Sequence, residues 1–163
     1  MTNGRYTFEI APQFVDFQHK IKLASLVDLI MSAAGYNADA NGFGLRHLNE
    51  LGGSWVISRF SLEMKYFPKQ YEKIEIETWI EEVHTLNTIR DFLVYNMQGE
   101  VIGKATSVWV MINLKNRRPM ELSLLHGIND FINSKGDTAI RTLKLDEAVG
   151  EPIDKFKIKY SDI

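Results

Sequence analysis

Four histidines, His19, His47, His84 and His126, are the side chains best suited to proton transfer or metal ligation. No two stand at a spacing that would bring both to one metal ion. They read as ordinary surface or core histidines, and no metal or cofactor is expected. The chain has no cysteine. Disulfides, thiolate metal sites and a cysteine nucleophile are therefore ruled out. Two charged groupings remain. Arg90 and Asp91 are neighbours in a strand-like run and read either as a buried pair or as solvated strand charge. Lys115, Arg117 and Arg118 make a basic corner, which is either a plain turn or a surface that steers an acidic partner.

These residues need elements to position them. A length of 163 residues suggests one domain with a short extension, enough to bury a core without staples. A net charge of -2 argues against a nucleic-acid surface. No apolar run reaches the length of a membrane span. The opening MTNGRYTFEI lacks the basic-then-apolar pattern of a secretory signal, so a cytoplasmic location is expected.

Arg5 to Ile10 alternates as a short strand closed by Ala11-Pro12. Leu23, Leu26, Val27, Ile30, Met31 and Ala34 recur three or four apart, predicting a helix that Gly35 ends, with Leu29 off the stripe. Asn41 to Gly44 reads as a loop and Leu45 to Leu51 as a short helix. From Ser54 the period becomes two. Strands are expected up to Pro68, over Ile74 to Glu81, over Ile89 to Met97, and over Val101 to Leu114. Gln98-Gly99-Glu100 makes the turn between the last two. Val108 to Ile112 is apolar on both faces, which an antiparallel strand tolerates only when both sides of its sheet are covered. Leu124 to Ile132 reads as a short helix containing Gly127. The expected organisation is a domain over 1–133, a linker over 134–155, and the opening strand of a second domain over 156–163. This pattern supports an α+β class.

Ordered blocks along the chain resemble one family. They are Gly42-Phe43-Gly44, Trp55 to Arg59, Tyr66-Phe67-Pro68, Glu77 to Trp79, Arg90 to Asn96, Gly99 to Asn113 and Arg117 to Pro119. In this order and spacing they resemble the N-terminal half of the acyl-acyl carrier protein thioesterases of plants and bacteria. The resemblance implies a hotdog fold, in which a curved antiparallel sheet wraps a central helix. It also implies two such domains in tandem, the first accommodating the acyl chain and the second supplying catalysis from a motif Ser-Asp-x-Asp-x-Asn-x-His. Ser161-Asp162-Ile163 match its first three positions, so no catalytic residue is expected within this chain. Asp16 follows the first strand as Asp162 follows the last, which would put Gln18, Lys20 and Lys22 at the positions of the motif's Asp, Asn and His.

The function implied is hydrolysis of acyl-acyl carrier protein thioesters in fatty acid biosynthesis. The alternative is a stand-alone, non-catalytic acyl-binding or assembly module. The expected acyl pocket is Leu26, Ile30, Phe60, Met64, Val110 and Met111. The expected carrier-protein contact is Lys115, Arg117 and Arg118. The expected partners are acyl carrier protein with its acyl chain, and a second hotdog domain in cis or in a homo-oligomer.

Overall fold

The computed structural model describes residues 4–135 and Gly150. Five antiparallel strands form one sheet: β1 (Gly4–Glu9), β2 (Gly53–Met64), β3 (Lys73–Val83), β4 (Asn87–Asn96) and β5 (Val101–Asn113). Their order is β1-β3-β4-β5-β2, so β3, β4 and β5 are a meander between the edge strands β1 and β2. Register shifts between Ile57 and Arg59, Ile80 and Glu82, and Val94 and Tyr95 add local twist and bend the sheet. A long helix, α1 (Leu23–Ala40), lies on one face, and a short one, α2 (Leu45–Glu50), follows it. This is the α+β hotdog architecture.

The alternation of β3 puts Ile74, Ile76, Thr78 and Ile80 toward α1. Phe92 and Val94 of β4 and Ala105 of β5 join Leu26, Leu29, Ile30, Ala33 and Ala34 there in the main core. A second cluster, at one end, gathers Ala38, Phe43, Leu48, Ile80, Met111, Leu122, Leu125 and Ile128.

Four local expectations change. Gly35 does not end α1, which continues to Ala40. A single helical glycine costs about 1 kcal/mol, and the extra turns bury Asn37 and Ala38. Leu29 belongs to the buried stripe, whereas Leu23 is exposed. Leu124 to Ile132 is not one helix. Two 3-10 turns, Leu122–Leu124 and Ile128–Phe131, are separated at Gly127, whose φ is 80°.

On the central strands the sheet face away from α1 is buried too. Trp79 is 2% exposed, and Glu77 and Glu81 beside it are buried. Buried carboxylates need donors, and these have them. Glu77 accepts from the Tyr95 hydroxyl at 2.8 Å and from Lys135 Nζ at 2.7 Å. Glu81 accepts from Trp79 Nε1 at 2.7 Å, from the Lys135 amide at 3.1 Å and from the Ser134 hydroxyl. The first two residues of the expected linker thus rest on the sheet, with Lys135 Nζ 4.5 Å from the centre of the Trp79 ring. The remainder of the linker, Gly150 aside, and the expected strand over 156–163 lie outside the described residues.

Candidate functional site

The site forms where the two clusters meet, and the loop between α1 and α2 shapes it. Gly42 has φ 81°, a left-handed turn that a side chain disfavours. Phe43 is driven into the second cluster. Gly44 passes so close to α1 that a Cβ there would lie 2.8 Å from the Asp39 Cα. These three residues are one of the blocks singled out from the sequence. The Phe43 carbonyl accepts a hydrogen bond from Trp55 Nε1 at 3.0 Å. The Trp55 ring meets Trp109 edge-on, with centroids 6.5 Å apart.

Between these groups lies a cavity of about 290 Å³. Its walls include Met31, Ala34 and Ala38 of α1, Phe43, Trp55, Ile80, Trp109 and Ile128, with Ser54, Thr88 and Arg90 as polar members. Gly35 and Asp39, both exposed, also border it. A mostly apolar concavity with a few placed polar groups is the usual form of a small-molecule site.

Arg90 and Asp91 are neither a pair nor solvated. Successive strand residues face opposite ways, so Arg90 points toward α1 and Asp91 away from it. Arg90 is 4% exposed and donates through Nη1 to Asn37 Oδ1 at 2.8 Å and Thr78 Oγ1 at 3.1 Å. Burial lowers its pKa to about 10, opposed by the neighbouring Tyr6, so it is cationic at neutral pH. Asp91 is 0% exposed. Its Oδ1 accepts from Thr106 Oγ1 at 2.7 Å, and Oδ2 has no hydrogen-bond partner among the described residues.

None of the six residues expected to line an acyl pocket borders this cavity. Leu26 and Ile30 are in the main core, and Phe60 and Met64 pack against it. Met111 belongs to the second cluster with the wall residues Phe43, Ile80 and Ile128. Val110 alternates with Trp109 and Met111 and so lies on the other sheet face. Reading strand alternation without the helix contacts could not separate solid core from cavity wall. The signal that could have found the wall was present in the family blocks, which contain Phe43, Trp55, Arg90 and Trp109.

The basic corner is an exposed turn directly after β5. Asn113 Oδ1 accepts from the amides of Lys115 at 2.9 Å and Asn116 at 3.1 Å, and Arg117 adopts φ 60°. Ser54 and Trp55 pair with Ile112 and Met111 at the same end of the sheet, so the turn and the cavity share that end. The histidines are dispersed. His19 contacts Gln70 at 2.9 Å, His84 contacts Glu82 at 3.0 Å, and no metal-binding group of three appears among the described residues. Asp16 caps a turn, its Oδ1 accepting from the amides of Gln18 at 2.8 Å and Lys20 at 3.1 Å. Gln18, Lys20 and Lys22 are exposed.

Sheet, helix and their packing define a hotdog-type domain. The acyl-ACP thioesterase N-terminal domain model matches residues 3–124, and the chain belongs to that family. A crystal structure of an acyl-ACP thioesterase from Bacteroides thetaiotaomicron is 38% identical with a TM-score of 0.85, covering 98% of this chain and 65% of that one. The chloroplastic oleoyl-acyl carrier protein thioesterase of Coriandrum sativum is 31% identical over 106 residues, 61% of this chain and 29% of that protein. The 12:0-ACP thioesterase of Umbellularia californica is 24% identical with a TM-score of 0.73, over 88% of this chain and 56% of that one, which supports the fold. The chain thus spans less than a third of the coriander relative's length and about two thirds of the Bacteroides one. No helix among the described residues is long and apolar enough to cross a membrane.

Proposed function

We propose that this chain is the acyl-accommodating domain of a cytoplasmic enzyme that hydrolyses acyl-acyl carrier protein thioesters to free fatty acid and carrier protein in fatty acid biosynthesis. The observation that carries this reading is the aromatic-walled cavity of about 290 Å³ at the end of the sheet that bears the basic turn. The acyl chain occupies the cavity, and its apolar surface leaves water against Trp55, Trp109, Phe43 and Ile128. Leu26 and Ile30 belong to the main core with Phe60 and Met64 packed against it, Met111 packs in the second cluster with the wall residues Phe43, Ile80 and Ile128, and Val110 lies on the other face of β5. Lys115, Arg117 and Arg118 attract the acidic carrier protein.

Thioester hydrolysis needs an activated water and donors for the developing oxyanion. No histidine borders the cavity among the described residues, so the reading assigns that chemistry to a second hotdog domain, in cis or in another copy. No metal or cofactor enters the reaction. The edge strand β2, with Val56 and Ile57 exposed, is the natural place for such a partner to extend the sheet.

The test is the product profile of Ala34→Leu in the complete enzyme. Ala34 borders the cavity, and each methylene excluded from it forfeits about 0.8 kcal/mol of burial, roughly a fourfold change in selectivity. Shorter fatty acids are expected. An unchanged profile from a folded variant would overturn the placement of the chain. Absence of any thioester hydrolysis by the complete gene product would favour the non-catalytic acyl-binding module.

A further inference from the structure

Arg90 brings a positive charge to the cavity wall with no ion-pair partner among the described residues. Its two hydrogen-bond acceptors, Asn37 Oδ1 and Thr78 Oγ1, are neutral, and both are reached through Nη1. Among the described residues Nε and Nη2 donate no hydrogen bond, and the side chain enters no ion pair. Neither atom is a sealed, unpartnered donor, since Asp91 Oδ2 is the sole buried polar side-chain atom without a partner among the described residues. Both atoms therefore keep some accessible surface, and Arg90 borders the cavity. Asp91, next in sequence, is on the opposite sheet face. Asp39, the one carboxylate bordering the cavity among the described residues, is exposed and makes no ion pair with Arg90. A buried cation without a counter-charge is costly, and pairing with an anion offsets that cost. The remaining wall is mostly apolar, with Met31, Ala34, Phe43, Trp55, Trp109 and Ile128, and Ser54 and Thr88 as neutral polar members.

A guanidinium with two free donors and an apolar enclosure together select an amphipathic monoanion. We propose that the cavity is a binding site for the free carboxylate form of a medium-chain fatty acid, its head on Arg90 and its alkyl tail against the tryptophan wall. Nε and Nη2 offer the parallel fork that a carboxylate accepts. The volume, near the lower end of the usual range of roughly 300–1,000 Å³ for small-molecule sites, favours a medium chain. This rests on the acyl-cavity reading above and adds to it that the released acid binds as an anion and competes with the acyl chain of the thioester, so that product restrains turnover.

The test uses decanoate, 1-decanol and methyl decanoate, each below its aggregation limit, titrated into the 163-residue chain. Trp55 and Trp109 border the cavity, so tryptophan emission reports occupancy. Decanoate is expected to bind at least about tenfold more tightly than either neutral ligand, as charge-assisted hydrogen bonds imply. Arg90→Gln should remove that preference while leaving decanol binding, and Arg90→Lys should keep part of it. Equal affinity for all three ligands overturns the anion site and leaves the acyl cavity standing. No saturable response to any ligand overturns both. A decanoate preference that survives in a folded Arg90→Gln variant overturns the assignment to Arg90. Should Arg90→Gln fail to fold, Ala34→Phe replaces it: filling the cavity should abolish the decanoate response, and an undiminished response overturns the site.

Discussion

Asp91 makes the stability of this domain depend on pH in a direction opposite to that of most carboxylates. Burial of the carboxyl is the main cause, with Glu81 and Glu82 nearby adding to it and the Thr106 hydrogen bond opposing it. Together they raise its pKa from 3.8 to about 6. Between those values the folded chain holds a proton that the unfolded chain has released, so stability falls as pH rises through the window. A shift of this size is worth at most about 3 kcal/mol, and solvent screening reduces the expected effect to between about 1 and 3 kcal/mol. Asp91→Asn removes the titration and keeps the size of the side chain. In urea unfolding at a series of pH values, the variant should gain on the parent by that amount between about pH 4.5 and pH 7.5. A constant offset between the two stability curves across this range would refute the reasoning, because it would mean that Asp91 ionises in the fold as freely as in the unfolded chain.

Two glycines near the cavity should respond oppositely to alanine. Gly44→Ala places a Cβ 2.8 Å from the Asp39 Cα and should lower stability by about 1–3 kcal/mol. Gly35→Ala meets no atom within 4 Å and should raise it by about 0.5–1 kcal/mol, both read by urea unfolding, with equal effects counting against the loop geometry. Lys115→Glu with Arg118→Glu should lower kcat/KM for acyl-carrier protein about tenfold at low salt in the complete enzyme. The loss should shrink as salt rises and be absent for a small thioester, whereas a salt-independent loss would assign these residues to structure.

The strands were legible because their period is short and their chemistry one-sided: Ile74, Ile76 and Ile80 alternate with charge and are found on one face. The family blocks carried the hotdog assignment, which alternation alone left at α+β. The end of α1 was not legible. Gly35 carries a local stop signal, and the reason to continue is tertiary, since Asn37 must reach Arg90 across 53 residues of chain. The burial of Glu77 and Glu81 was hidden for a similar reason. Their donors include Ser134 and Lys135, residues whose polar composition reads as linker. The cavity wall was missed because Trp55 and Trp109 look like ordinary strand aromatics until the Phe43 carbonyl fixes one and the other packs edge-on against it.

Gly35 leaves one border of the cavity open to substitution. It sits in a helix, borders the opening, and has vacant space where a side chain would begin. Residues that enlarge this position are also better helix formers than glycine. Natural sites usually trade stability against activity, because filling a functional void costs function while leaving it open costs stability. Here a first side-chain atom meets nothing within 4 Å, so bulk can be added beside the cavity without a clash in the scaffold at that atom.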